Sequence, residues 1–346
     1  MTRILVIRRR YLGDIVLLGS VFRNLRAHWP AAHIAALVEA PYAGVLALHP
    51  DVNEAITFPT DGGNWALARR LRAARFTHVL DFDNTDKTAL LSRFTGAKVR
   101  ATFHRELIRF RYRWFYTHRA QVTNDEYDRS HITDTYLRLP EAAGVPVTTR
   151  EIRLVPPAPA LEFAQNMIKT QHPHLLVRRN RLLVHPGSRS EFRLWPVERF
   201  ARVVDRAVRD LGAQVALIAG PGERTLVTEI ARLATTRPAV VNAPFSIPQL
   251  AGFMTQFDAM LCHDSGPMHL AAGVGTRVVA LYGSQNATIW RPAGDRHTVL
   301  QTPLPCRCLP DLPRPCVKAD SYRSYCVRQL TEDQVFESVA AALEAP

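Results

Sequence analysis

The chain has 346 residues, a length that predicts two domains of ordinary size. Its formal net charge of +13 indicates an anionic partner, such as a nucleotide, an acidic glycolipid, a membrane surface or a nucleic acid. The sequence contains no apolar run near the ~18 residues of a membrane span, which argues against an integral membrane protein. A signal peptide is also not expected, because Asp14 interrupts the first apolar run and no small-residue cleavage site follows. We therefore expect a cytoplasmic protein whose charge favours contact with a membrane.

The first half of the chain alternates strand and helix patterns, which is typical of a parallel, doubly wound α/β sheet. The predicted strands are 3–7, 33–38, 54–58, 77–82 and 98–102. The predicted helices are 15–28, 41–48, 65–74 and 87–94.

A second series of the same kind begins after the Pro-rich stretch 155–159. Its predicted strands are 181–185, 214–219, 239–242, 258–262, 277–281 and 297–301. Its predicted helices are 197–211, 223–234, 247–255 and 267–272. We expect two Rossmann-like domains facing a central cleft, spanning residues 1–155 and 156–330, with a final helix in 331–346 that packs back on the first domain.

Polar residues follow the first predicted strand, in the loop 8–14. Open α/β sheets bind ligands at the carboxyl ends of their strands, which is where Gly13 and Asp14 lie. Asp14 is either a cap of the helix that follows or a general base that takes a proton from a hydroxyl. The loop lacks the G-x-G-x-x-G fingerprint, which argues against an NAD enzyme.

Two loops of the second domain carry groups that suit a nucleotide. Ser188, Arg189 and Arg193 follow a predicted strand and precede a helix, so they form either a diphosphate site or a solvated surface loop. Glu223 follows the next strand, where it can accept hydrogen bonds from ribose hydroxyls or simply be an acidic residue of a helix's first turn.

The segment 262–276 is the most informative of the chain. Asp264, Ser265 and Gly266 lie where a predicted strand turns into a helix, whose N-terminus offers unpaired N–H groups and a partial positive charge to a phosphate. His269 lies about one helical turn further on and can face the same opening. The simpler alternative is that Asp264 or Ser265 caps the helix and that His269 packs beneath the sheet.

Together, these four segments resemble the bacterial ADP-heptose:lipopolysaccharide heptosyltransferases, glycosyltransferase family 9. The resemblance runs from residue 3 to about residue 301 and is most specific at 264–269. It implies the GT-B fold, an acceptor bound mainly by the first domain, a nucleotide sugar bound by the second, and inverting transfer without a metal or other cofactor.

The resemblance also implies roles for individual residues. Asp14 matches the family's proposed catalytic base. The implied donor-binding residues are Ser188, Arg189, Arg193, Glu223, Asp264, Ser265, Gly266 and His269. The family usually has lysine at the Arg193 position, and arginine keeps the charge while binding phosphate bidentately.

The segment 98–119 alternates basic and aromatic residues, which would be costly to leave in water. This composition suits an anionic glycolipid, a lipid A–core precursor, at the inner face of the cytoplasmic membrane, and single-stranded nucleic acid is the alternative. The predicted acceptor-binding residues are Arg8, Arg10, Arg100, Arg105, Arg109, Arg111 and Arg113.

Cysteine usage leaves one question open. Cys262 lies in a predicted buried strand, whereas the other four cysteines lie in the loop 305–327. Those four are Cys306, Cys308, Cys316 and Cys326. Four thiolates can form a structural zinc or iron site, but their spacing matches no standard zinc finger, so plain or redox-variable thiols are equally compatible.

Three functions remain open at this point. The first is heptose transfer from ADP-heptose to a hydroxyl of the lipopolysaccharide inner core. The second is a related transfer with another nucleotide sugar or a protein acceptor. The third is a non-catalytic module that binds nucleotide or nucleic acid, and Asp14 together with the 264–269 segment argues against it.

Overall fold

The computed structural model describes residues 1–59, 64–105, 112–176, 180–189, 193–283, 285–302 and 327–344. The chain divides into two compact units, Met1–Val155 and Pro156–Pro346. The division lies in the Pro-rich stretch that separates the two predicted series of elements. Within the described residues, no helix is both long enough and apolar enough to cross a bilayer.

The described part of the first unit contains a six-stranded parallel sheet flanked by helices. Its strands are β1 (Arg3–Ile7), β2 (His33–Glu39), β3 (Glu54–Phe58), β4 (His78–Asp81), β5 (Val99–Arg105) and β6 (His118–Val122). Its helices are α1 (Leu12–Leu17), α2 (Gly19–His28), α3 (Ala43–Leu46), α4 (Asn64–Ala73), α5 (Asp86–Thr95), α6 (Asn124–Arg129) and α7 (Ile132–Ala142). The strand order is β3-β2-β1-β4-β5-β6.

The described part of the second unit repeats this architecture. Its strands are β7 (Arg181–His185), β8 (Gln214–Ile218), β9 (Ala239–Val241), β10 (Ala259–His263), β11 (Arg277–Leu281) and β12 (Thr298–Leu300). Its helices are α8 (Ala158–Gln171), α9 (Val197–Leu211), α10 (Arg224–Leu233), α11 (Ile247–Met254), α12 (Gly266–Gly273), α13 (Ala287–Trp290) and α14 (Glu332–Glu344). The order β12-β11-β10-β7-β8-β9, read from the other edge, is that of the first sheet.

Both sheets confirm the predicted parallel, doubly wound class. Parallel strands covered by helices on both faces are apolar along their whole length, and Ile4 to Ile7 of β1 are fully buried. The same holds for Leu182 to Val184 of β7 and for Ala259 to Cys262 of β10. In such sheets the ligand position is the point where the strand order reverses, at the carboxyl ends of the two central strands. These central pairs are β1 with β4 and β7 with β10.

Several elements differ from the prediction. The edge strand β6 and the helices α6, α7 and α8 were not predicted, and the predicted helix 15–28 is two helices that meet at Leu18. Strand β6 has only two buried residues among five, so its composition resembles a polar loop.

The final helix, α14, belongs to the second unit and packs against α9 there. Arg202 on α9 pairs with Glu332 at 2.6 Å, and the Arg206 guanidinium lies 3.9 Å from the centre of the Phe336 ring. The expectation that this helix also packs back on the first domain stays a prediction.

Candidate functional site

Asp14 lies in the first turn of α1, immediately after the central strand β1, and is buried. Its Oδ1 accepts a hydrogen bond from the Arg8 guanidinium and another from the Tyr136 hydroxyl at 2.6 Å. Its Oδ2 accepts the backbone N–H of Tyr11 at 3.2 Å. Tyr11 is the N-cap of α1 and Asp14 is the third residue of the helix, so the contact with Tyr11 is one half of a capping box and not the N-cap role considered from the sequence. The other two donors have no part in capping the helix.

Arg8 links the loops after the two central strands of the first sheet. Its Nη1 donates to the Phe82 carbonyl at 2.9 Å and lies 3.7 Å from Asp83 Oδ1, just beyond the end of β4. Arg9 donates from Nε to Asp83 Oδ2 at 2.7 Å. The reversal of strand order thus brings a basic and an acidic loop together, as expected for this edge of a parallel sheet.

Arg105 and Arg10 also lie at the carboxyl edge of the first sheet. The Arg105 guanidinium lies over the Tyr127 ring, 3.8 Å from its centre, in a cation–π contact. Burial raises the pKa of Tyr127. The positive charge of Arg105 opposes this rise and the negative charge of Asp14 adds to it, so Tyr127 lies within electrostatic range of Asp14. Arg10 is exposed and donates from Nε to Glu39 Oε1 at 2.7 Å, at the end of β2.

Two other predicted acceptor-binding residues lie elsewhere. Arg100 is the second residue of β5, near the amino edge of the sheet, and its guanidinium binds the carbonyls of Ala97 and Phe115, the latter at 2.6 Å. Arg113 is exposed in the short turn that ends at Phe115. The structure therefore does not bring Arg100 and Arg113 to the Asp14 edge. The remaining two residues of that set, Arg109 and Arg111, lie outside the described residues.

Tyr136 is a site residue that sequence reasoning missed. It lies on α7, 122 residues from Asp14, and its ring is buried against Phe82 and Phe103. In the sequence, Tyr136 resembles an apolar core residue. The helix that carries it was itself not predicted. The available signal was chemical, since the hydroxyl of a buried tyrosine requires a partner.

The loops after β7 and β8 meet around Glu223. Its Oε2 accepts the backbone N–H of Gly220 at 2.8 Å and lies 3.4 Å from Nε2 of the buried His185. The carboxylate is so close to Gly187 that a Cβ added there would lie 1.9 Å from Oε2. A side chain at position 187 would therefore displace the Glu223 carboxylate.

The segment after Arg193 is held by a buried histidine. His263 Nε2 accepts the backbone N–H of Trp195 at 2.8 Å, and the Trp195 indole donates to the Leu330 carbonyl at 3.0 Å. Burial lowers the pKa of His263 to about 3, so its imidazole is neutral and can accept this bond at any ordinary pH.

Asp264 lies at the carboxyl end of β10 and accepts a hydrogen bond from Arg193 Nη1 at 3.0 Å. Burial raises the pKa of Asp264 to about 6, and the positive charge of Arg193 opposes the rise. Arg193 of the predicted diphosphate loop and Asp264 at the end of β10 therefore form a pair within the second unit.

Two serine hydroxyls at this edge are distinctive. Ser188 Oγ and Ser265 Oγ are buried and have no hydrogen-bond partner within the described part of the chain. Ser265 is the residue before α12, and its side chain does not cap the helix. Because buried hydroxyls are normally hydrogen bonded, these two groups, one of them at a helix N-terminus, are candidate ligand contacts.

The other predicted donor-site residues occupy the same two loops. Gly266 is the first residue of α12, and His269 is buried one turn later in that helix. Arg189 is exposed next to Ser188. The segment 264–269 thus forms the predicted strand–turn–helix.

The predicted metal site stays a prediction, because all four of its cysteines lie outside the described residues. They are Cys306, Cys308, Cys316 and Cys326. In the described ranges, no group of three or more His, Cys, Asp or Glu side chains is arranged to hold a metal ion. Cys262 is buried in β10, and burial raises the pKa of its thiol, which agrees with a core position.

Comparison with known proteins identifies the family. The sequence model of glycosyltransferase family 9 (heptosyltransferase) matches residues 64–320. Lipopolysaccharide heptosyltransferase 3 of Escherichia coli is 25% identical over 297 residues, covering 82% of this chain and 84% of that protein.

Two solved structures share the fold. The glycosyl transferase family 9 protein from Veillonella parvula has a TM-score of 0.84 at 23% identity, covering 99% of this chain and 97% of that one. The ADP-heptose lps heptosyltransferase II of E. coli has a TM-score of 0.77 at 22% identity, covering 99% and 98%. The chain therefore belongs to glycosyltransferase family 9 and is a glycosyltransferase of the GT-B fold class, with two Rossmann-like domains.

Proposed function

We propose that the protein transfers heptose from ADP-heptose to a hydroxyl of the lipopolysaccharide inner core, at the inner face of the cytoplasmic membrane. Membership of a heptosyltransferase family and similarity to a lipopolysaccharide heptosyltransferase of E. coli support this choice. The net charge of +13 also favours it, because a nucleotide sugar, an acidic glycolipid and an anionic leaflet are all negatively charged.

The observation that carries the proposal is the pair of partnerless serine hydroxyls at the edge of the second sheet. Within the described residues, Ser188 Oγ, in the loop after β7, and Ser265 Oγ, just before α12, are buried without a hydrogen-bond partner. We propose that both donate to the diphosphate of the donor, together with backbone N–H groups of α12 and the Arg193 guanidinium.

The same edge supplies contacts for the remaining parts of the donor. Glu223 is held by Gly220 and lies beside His185, so its carboxylate is oriented to accept hydrogen bonds from ribose hydroxyls. Asp264 and His269 would contact the heptose and the diphosphate.

In the proposed reaction, Asp14 takes the proton of the acceptor hydroxyl while that oxygen attacks the anomeric carbon. The bond between the anomeric carbon and the phosphate oxygen breaks, and ADP leaves with the electron pair. Attack from the face opposite ADP inverts the anomeric configuration. Arg193 and the N–H groups at the start of α12 stabilise the charge that develops on ADP, so no metal is needed. Arg8 and Arg105 would bind anionic groups of the acceptor.

The test is a donor and acceptor panel with the product detected by mass spectrometry. Purified protein is incubated with ADP-heptose, ADP-glucose, UDP-sugars or GDP-sugars, and with heptose-free lipopolysaccharide core or a protein acceptor. We expect the core to gain one heptosyl residue from ADP-heptose alone. Transfer from another nucleotide sugar, or to the protein acceptor alone, would instead support a related family activity, and no transfer at all would contradict the proposal.

A further inference from the structure

The two oxygens of the Asp14 carboxylate are held very differently. Oδ1 accepts the Arg8 guanidinium and the Tyr136 hydroxyl, two strong donors that together use both of its lone pairs. Within the described residues, Oδ2 accepts only the Tyr11 N–H, at the longer distance of 3.2 Å. One lone pair of Oδ2 therefore stays available for a proton.

The two donors to Oδ1 are themselves fixed. The Tyr136 ring is 3% exposed and packs against Phe82 and Phe103, whose ring centres are 5.4 and 6.4 Å away. The Arg8 guanidinium is held by the Phe82 carbonyl at 2.9 Å, and it lies 5.7 Å from the centre of the Tyr136 ring. Neither donor can follow a carboxylate that rotates, so they define one orientation of Asp14.

We infer that Tyr136 is a positioning residue that acts with Arg8 to hold Asp14, so that Oδ2 is the oxygen that receives the acceptor proton. This inference rests on the proposed role of Asp14 as the base. The proton moves from the acceptor hydroxyl to Oδ2 while the acceptor oxygen bonds to the anomeric carbon and ADP leaves with the electron pair. Tyr136 and Arg8 keep their own protons, and Tyr136 acts only through Asp14.

A positioning role predicts a specific kinetic pattern. Without the Tyr136 hydroxyl, the carboxylate can rotate about its Cβ–Cγ bond, and small misplacements of a reacting group cost much of its effect. General-base catalysis accelerates a reaction about 10²–10⁴-fold, so Tyr136→Phe, which disturbs the base, should lower kcat about tenfold or more. The KM for ADP-heptose should not change, because the donor is proposed to bind to the second unit.

The chain offers a matched control in Tyr116. Its hydroxyl also donates to a buried carboxylate of the first unit, Asp81, and the side chain is similarly buried. Tyr116→Phe therefore removes a comparable hydrogen bond at a carboxylate with no proposed part in the reaction. Tyr136→Phe, Tyr116→Phe, Asp14→Asn and the double variant Asp14→Asn/Tyr136→Phe would be assayed in full-length protein with ADP-heptose and heptose-free core, alongside thermal unfolding.

The expected result is that Tyr136→Phe lowers kcat, that Tyr116→Phe does not, and that Tyr136→Phe has no further effect when Asp14 is already Asn. Equal behaviour of the two tyrosine variants, or losses that multiply in the double variant, would overturn the inference. Should Tyr136→Phe fail to fold, Arg8→Lys takes its place, and its effect on kcat is compared with and without Asp14→Asn. If Asp14→Asn itself transfers normally, the proposed base is wrong, and that result is distinct from a failure confined to Tyr136.

Discussion

The two sheets share one strand order, but the polar groups at their carboxyl edges differ in whether they have hydrogen-bond partners. At the first edge the central carboxylate, Asp14, is held by donors from Arg8, Tyr11 and Tyr136. At the second edge two buried serine hydroxyls have no partner among the described residues, and one of them, Ser265, precedes the start of a helix. A group that reacts must be held in place before substrate arrives, whereas groups that bind a ligand can leave their hydrogen bonds to it. The contrast therefore supports the proposal that the first unit supplies the base and the second binds the donor.

Removing Arg193 should have the largest effect on donor binding. A charge-assisted hydrogen bond contributes about 1.5–3 kcal/mol, so Arg193→Ala should weaken ADP binding about 10- to 100-fold in calorimetry. Arg202→Ala is the matched control, because Arg202 is an exposed arginine of the same unit that pairs with Glu332. Equal ADP affinity in the two variants would remove Arg193 from the donor site.

Asp264 should make donor binding depend on pH. Burial raises the pKa of Asp264 to about 6. The carboxyl is therefore mostly charged at about pH 7.5 and mostly neutral at about pH 5. Protonation removes a negative charge next to the proposed diphosphate position, so ADP affinity should rise as pH falls through this range.

Asp264→Asn isolates this effect in ADP calorimetry across the same range of pH. The variant should bind ADP more tightly than the wild type at about pH 7.5 and about equally at about pH 5. The phosphates of ADP titrate in both experiments, so the difference between the two proteins is the informative quantity. Parallel pH curves would show that the charge of Asp264 does not face the donor.

Arg105 should have the smallest effect, and on the acceptor side alone. Partly exposed charge contacts are worth up to about 1 kcal/mol, so Arg105→Ala should raise the KM for the core acceptor about two- to fivefold and leave ADP binding unchanged. Arg113→Ala should change neither quantity, because Arg113 lies in a turn tied to the amino end of β5. A larger effect at Arg113 than at Arg105 would contradict this placement of the acceptor.

Much of the fold could be predicted because buried parallel strands are continuous apolar runs, as in β1 and β10. The edge strand β6 was not predicted because its exposed residues, such as Arg119, are polar. The order of the strands was not predicted, because it depends on which strands pair and not on any local pattern.

In the candidate site, too, local patterns could be predicted and long-range contacts could not. Asp14 and the 264–269 segment could be found because strand, turn and helix are adjacent in the chain. Tyr136 could not, because its contact with Asp14 spans 122 residues. The segment 98–119 was interpreted as one basic surface. Strand β5 runs through it, however, and places Arg100 near its amino end and Arg105 at its carboxyl end.

The central claim is that the first unit supplies the base and the second binds the donor, and the Asp14→Asn variant tests it most directly. ADP affinity and the rate of heptosyl transfer would be measured on the same preparation, with Asp134→Asn, at an exposed carboxylate of α7, as the control. We predict unchanged ADP affinity and transfer slowed about 10²–10⁴-fold in Asp14→Asn alone. Transfer at the wild-type rate, or loss of ADP binding with Asp14→Asn, would contradict the account.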